Sequence, residues 1–123
     1  MAKSVLVVDD ESVVLEITKR KLEEKGYEVY TAGNGEEAFL RLKSKIPDLI
    51  LLDIQMPRMN GYTFIKEKNK IPKYANIPLA VLTAHDEMEP FVKDQDHGIK
   101  AYLLKPFAPQ DVIDKVFEII GQP

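Results

Sequence analysis

The sequence contains no cysteine, which removes disulfides, thiolate metal sites and thiol nucleophiles together. It also lacks a basic excess. Its 17 Lys and Arg against 20 Asp and Glu leave a net charge of −3, the opposite of the footprint by which a domain holds nucleic acid, so no direct nucleic-acid partner is expected. No apolar run approaches the length that spans a bilayer, and the start, MAKSVLVVDD, carries no apolar leader ending in a small-residue cleavage site; the expected location is the cytoplasm. Two independent domains do not fit in 123 residues, but one domain with one sizeable core does. What is present, 45% apolar and 30% charged residues, is ordinary globular composition.

Short apolar runs alternate with amphipathic segments along the chain. SVLVV (4–8), LILLD (49–53), LAVLT (79–83) and AYLL (101–104) are near-continuous apolar runs, the form of strands covered on both faces of a parallel sheet. YEVYTA (27–32) alternates more and is expected nearer an edge. Between the first two lies ESVVLEITKRKLEEKG, in which Val14, Ile17 and Leu22 are expected to share a helical stripe and Gly26 to stop the helix. NGEEAFLRLKSK begins at Asn34 and Gly35, places Glu36 and Glu37 in a first turn and offers Ala38, Phe39 and Leu42 to a core. GYTFIKEKNK, residues 86–97 and PQDVIDKVFEIIG supply three more helices, the last bounded by Pro109 and Gly121. Five strand-helix repeats predict an α/β fold: a five-stranded, doubly wound parallel sheet of flavodoxin type with five helices. Such a sheet places its ligands at the carboxyl ends of the strands, where strand order reverses.

The chemistry gathers at those ends. Asp9 and Asp10 close the first strand, Asp53 the third, Thr83 the fourth and Lys105 the last. A strand-terminal Asp is often only a cap, Thr is a common strand former, and a Lys before Pro is commonly solvated. Unrelated caps have no reason, however, to fall together on several strand ends as a negative cluster with one positive partner. Two carboxylates about 4 Å apart repel by roughly 4 kcal/mol at an effective dielectric near 20, so a fold that keeps them ionised needs a cation. Oxygen donors without His or Cys suit Mg²⁺, which keeps several waters and takes one or two carboxylates besides phosphate oxygens. Asp53 is then the candidate nucleophile, a carboxylate that attacks phosphorus when metal, ammonium and hydroxyl neutralise the transferring oxygens.

Four pieces in order, VLVVDDE (5–11), PDLILLDIQMPRMNG (47–61), IPLAVLTA (77–84) and AYLLKPF (101–107), resemble the receiver domains of two-component response regulators, similar to the bacterial chemotaxis regulator in fold. The resemblance covers essentially the whole chain. It implies that Asp53 is the phosphoacceptor, that Asp10 binds Mg²⁺ directly with Asp9 acting largely through water, and that the backbone carbonyl of Gln55 completes the metal site. It further implies that Thr83 is the switch hydroxyl, Lys105 the ammonium that pairs with the phosphoryl group, and Tyr102 an aromatic that rotates as Thr83 moves. Tyr102 has an equal claim to being a half-buried strand aromatic. Lys105 and Pro106 match a peptide bond that is usually cis in the family. Gly61 suits a sharp turn beside the acceptor. His85 either borders the phosphoryl group and tunes water access or is an exposed loop residue, and His97 reads as surface.

The resemblance implies a phosphorelay protein with a sensor histidine kinase or histidine phosphotransfer domain as donor and, with no effector domain expected after the last helix, another protein as target. Two alternatives stand beside it. A Mg²⁺-dependent aspartyl-phosphate phosphatase needs an acid/base carboxylate just after the nucleophile, where this chain has Gln55; a pseudo-receiver that only binds proteins has no need of every acidic, hydroxyl and ammonium position being filled. DEMEPFVKDQDHGIK departs from the family pattern through Pro90 and Ile99, and a short or mobile helix is expected there. Val13, Val14 and Leu15 are consecutive, and since successive helical residues turn by about 100°, Val13 is left at the margin of the apolar stripe, an ordinary exposed residue or a contact for the donor protein.

Overall fold

Five-residue runs such as SVLVV and LILLD have no polar side to offer water, so a sheet built from them must be covered twice. The computed structural model describes residues 2–53, 61–83, 99–104 and 108–123, apart from the side chains of Tyr62, Thr83 and Leu104. It contains one sheet of five parallel strands, β1 (Ser4–Val8), β2 (Glu28–Ala32), β3 (Leu49–Asp53), β4 (Leu79–Thr83) and β5 (Ile99–Leu104), in the order β2-β1-β3-β4-β5. The described helices are α1 (Ser12–Lys25), α2 (Gly35–Ser44), α3 (Gly61–Asn69), the single turn α4 (Pro72–Ala75) and α5 (Pro109–Ile120). None is long and apolar enough to cross a membrane.

The two-residue period of a strand sorts the core into two layers. Leu6, Val8, Ile50, Leu52, Leu79 and Val81 face Ala38 and Leu42 of α2 and Phe64 and Ile65 of α3. Their alternates, Val5, Val7, Leu49, Leu51, Ala80 and Leu82, face Leu22 of α1 and Val112, Ile113 and Val116 of α5. The sheet is therefore doubly wound, as the alternation of segments predicts. Each Leu, Ile or Val buried in these layers contributes roughly 1.5–3 kcal/mol, which makes the inner strands the stiffest part of the chain. β2, with only Val29 and Ala32 of its five residues buried, lies at an edge as expected.

Local signals set most boundaries. α1 ends at Gly26, whose φ of 106° lies in the left-handed region and whose N–H bonds the Glu23 carbonyl. α2 starts where the Asn34 side chain accepts from the Glu37 N–H at 2.8 Å. α5 starts at Pro109, and the Asp111 carboxylate accepts from the Ala108 N–H at 2.8 Å.

Three expectations need correction or completion. The core-facing stripe of α1 is Thr18 and Leu22, which are buried, with Val14 and Leu15 partly buried beside them, whereas Ile17 is 45% exposed. Three helical steps leave Ile17 about 60° round from Val14, on the side away from Leu15 and Thr18. β5 begins at Ile99 rather than at residue 101. Its register jumps from Leu79↔Ile99 to Ala80↔Ala101, so Lys100 is an extra, exposed residue whose charge interrupts the apolar run. Finally, α4 follows directly on α3; Pro72 supplies its first turn and Ile71 accepts from the N–H groups of Tyr74 and Ala75. The helix expected over 86–97 lies outside the described residues.

Candidate functional site

Strand order reverses between β1 and β3, where the chain crosses back from β2 through α2, and the carboxyl ends of these two strands are brought level by the pairing of Val8 with Leu52. That register sets Asp9, the residue after β1, opposite Asp53, the last of β3. Asp9 continues the ladder, its N–H donating to the Ala32 carbonyl at 3.1 Å, while its carboxylate accepts from the Glu11 N–H at 2.9 Å. This bond aims the chain into α1 and lets Asp10 stand exposed beside two carboxylates that are almost wholly buried, Asp9 at 0% and Asp53 at 1% exposure.

One carboxylate oxygen from each of Asp9, Asp10 and Asp53 lies within 4.8 Å of the others, and among the described residues no second group of three His, Cys, Asp or Glu side chains gathers so closely. At that spacing each ionised pair repels by about 3 kcal/mol at an effective dielectric near 20. Two of the three carboxylates cannot relieve this through solvent, because they are buried. An all-oxygen, negatively charged set with one exposed member is what a hard divalent cation fits, and it offers nothing to a soft one.

The three acids expected from the sequence are thus brought together. Thr83 ends β4, which pairs with β3 through Asp53↔Leu82, so its backbone stands at the same rim; its side chain lies outside the described ones. Gln55, His85, His97, Lys105 and Pro106 also lie outside the described residues. Tyr102 sits on β5 opposite Val81, half-buried against the layer that holds Val8 and Leu52, and burial raises its hydroxyl pKa above the usual value.

Sequence reasoning missed two features away from the acids. Lys68, inside the charged run KEKNK, is fully buried and donates to the Ala75 carbonyl and to Asn69 Oδ1, each at 3.1 Å. The single turn α4 that this lysine holds was the second. Neither has a sequence signal, because Lys in such a run reads as solvated and four residues are too few to show a helical period.

Comparison with known proteins agrees with this fold. The sequence profile described as the response regulator receiver domain matches residues 5–117. The chain is 37% identical to the alkaline phosphatase synthesis transcriptional regulatory protein PhoP of Bacillus subtilis over 98% of its own length and 49% of that protein's. It is 35% identical to the probable transcriptional regulator ycf27 of Pyropia yezoensis over 96% of its length and 47% of that protein's, so the chain spans about half the length of the curated relatives it matches. Among solved structures, the chemotaxis response regulator CheY4 of Vibrio cholerae superposes with a TM-score of 0.88 at 29% identity, covering 98% of this chain and all of that one. With its profile match, its relatives and its fold in accord, the chain belongs to the response regulator receiver domain family of two-component systems.

Proposed function

We propose that this receiver domain is a phosphorylation-activated switch in which Asp53 accepts a phosphoryl group from a phosphohistidine, carried by a sensor histidine kinase or a histidine phosphotransfer domain, or from a small donor such as acetyl phosphate. The observation that carries the reading is the convergence of Asp53 with Asp9 and Asp10 within 4.8 Å at the strand-order reversal. A carboxylate oxygen of Asp53 forms the new bond to phosphorus as the bond to the donor's imidazole nitrogen breaks, and the imidazole leaves as the neutral ring by taking up a proton.

Asp9, Asp10 and Asp53, with the backbone carbonyl of Gln55, would hold Mg²⁺, which when bound supplies positive charge against the clustered carboxylates and the transferring oxygens. The chain's own groups do the rest. Asp53, fixed at the end of a fully buried strand, loses little orientation on reacting. Asp9, held by the Glu11 N–H, keeps its carboxylate among those of Asp10 and Asp53. Thr83 donates its hydroxyl to the acyl phosphate and Lys105 pairs its ammonium with a phosphoryl oxygen. The added charge biases the position of Thr83, then of Tyr102, and so the distal surface read by a downstream protein. On this reading the chain catalyses only its own phosphorylation and dephosphorylation. The names of the relatives describe transcriptional regulators about twice this chain's length, and that role is a statement about them.

Intact-mass measurement after incubation with acetyl phosphate and Mg²⁺ tests the proposal. A phosphoryl increment is expected, and it disappears in Asp53→Asn and on chelation of the metal. No increment even with a competent kinase makes the chain a pseudo-receiver, and rapid turnover of many phosphomonoesters makes it a phosphatase. Val13, 68% exposed on the first turn of α1, stands with exposed Ile17 one helical turn further on, beside the residues that lead from Asp9 and Asp10. As a docking contact for the phosphohistidine protein it predicts that Val13→Glu slows transfer from that partner and leaves phosphorylation by acetyl phosphate unchanged; equal loss of both refutes the contact.

A further inference from the structure

On the face of the sheet away from α1 and α5, an open cleft of about 590 Å³ runs between α2 on one side and α3 with α4 on the other. Its floor is apolar, made by Phe39, Ile71 and Tyr74. Phe39 packs at 4.8 Å between ring centroids on buried Phe64 and at 6.5 Å on Tyr74, so the floor is continuous with the core and does not have to form on binding. The α4 wall is fixed from beneath, because the buried Lys68 ammonium donates to the Ala75 carbonyl at the end of that turn.

The walls are charged with one dominant sign. Lys43 reaches the cleft from α2 and Lys73 from α4. Among the described residues neither lysine forms an ion pair, and Lys73 lies over the Tyr74 ring, 5.2 Å from its centroid. The acidic lining residue, Glu67, is already paired with Lys70 at 3.2 Å. A chain of net charge −3 thus carries a positive trough with an aromatic floor.

We infer that the α2–α3–α4 cleft docks an acidic amphipathic segment of a partner protein, its apolar anchor seated on Phe39, Ile71 and Tyr74 and its carboxylates meeting Lys43 and Lys73. The pairing of a preformed apolar seat with rim cations gives the anchor affinity and the charges register. The surface is separate from the acid cluster, so it serves a contact that the phosphoryl chemistry does not require.

The test uses two synthetic peptides that share Phe and Leu anchors four residues apart, one flanked by Glu and Asp and the other by Lys, titrated into the isotope-labelled full chain and followed by amide NMR shifts. The acidic peptide is expected to shift amides of α2, α3 and α4, to weaken with added salt, and to lose at least tenfold in affinity against Lys43→Glu/Lys73→Glu, whose exposed positions leave the fold and the phosphorylation of Asp53 intact. The basic peptide is expected to bind that double variant better than the unaltered chain. Shifts centred elsewhere, no shift with the acidic peptide, equal binding of both peptides, or indifference to the double substitution each overturns the inference.

Discussion

Lys68 shows what a single side chain can hide. Burial drives its ammonium pKa down from 10.5 to about 8, because no carboxylate among the described residues faces it and its two acceptors are an amide and a peptide carbonyl. Below about pH 8 the folded and unfolded chains both carry the proton, and the cost of burying the charge is constant. Above it the folded chain releases the proton while the unfolded chain keeps it until about pH 10.5, so stability rises with pH. Relative to Lys68→Met, the unaltered chain should gain about 2 kcal/mol between roughly pH 7 and 9.5, read by urea unfolding; a constant difference would mean that the lysine keeps its ordinary affinity for protons. The window closes near pH 10.5, where the unfolded chain's lysine also releases its proton and the difference between the two chains levels off. The contrast with the acids is instructive. Asp9, Asp10 and Asp53 could be read from sequence because each terminates an apolar run that can only be a strand, whereas Lys68 lies in a run of charges and its burial depends on a turn that no pattern announces.

At the scale of the element, what could be read was whatever a local signal dictates. β1, β3 and β4 begin and end where their runs do, since a strand buried on both faces admits a polar residue only at its ends, as with Ser4 and Asp53. α2 is set by one bond, the acceptance of the Glu37 N–H by Asn34. Asn34→Ala should therefore cost about 1 kcal/mol in thermal or urea unfolding and Asn34→Ser much less, and equal losses would show that packing alone positions this helix. Ile17, Lys100 and α4 escaped for different physical reasons. A helical stripe is centred by what it packs against and not by its most apolar residue, a bulge inserts a charge into a strand, and one turn is too short to have a period. The capping of α2 matters beyond stability, because this helix presents Phe39 and Lys43 to the cleft opposite α4.

For the molecule as a whole, the sheet order turns separate strand ends into one charged site, and that site should in turn govern the stability of the sheet. Asp9 and Asp53 are buried in adjacent strands and Asp10 stands beside them, so the folded chain bears a repulsion that the unfolded chain, with its carboxylates apart and hydrated, does not. A cation that binds only the folded cluster relieves that repulsion, and its whole stabilising effect, the relief included, is RT ln(1 + [L]/Kd), about 2.7 kcal/mol at a hundredfold excess over Kd. For a domain of 123 residues each kcal/mol moves Tm by roughly 3–5 °C, so saturating Mg²⁺ should raise Tm by roughly 10 °C over the chelated protein. Asp10→Asn removes one charge from an exposed position without disturbing the buried pair, and two effects of opposite sign follow. The metal-free variant should melt a few degrees above the metal-free parent, because repulsion is relieved, and its response to Mg²⁺ should shrink, because a ligand is gone. Differential scanning calorimetry with and without chelator reads both. A parent chain whose Tm ignores Mg²⁺, or a variant that is less stable than the parent in chelator yet responds fully to the metal, would mean that the three carboxylates meet without forming a cation site.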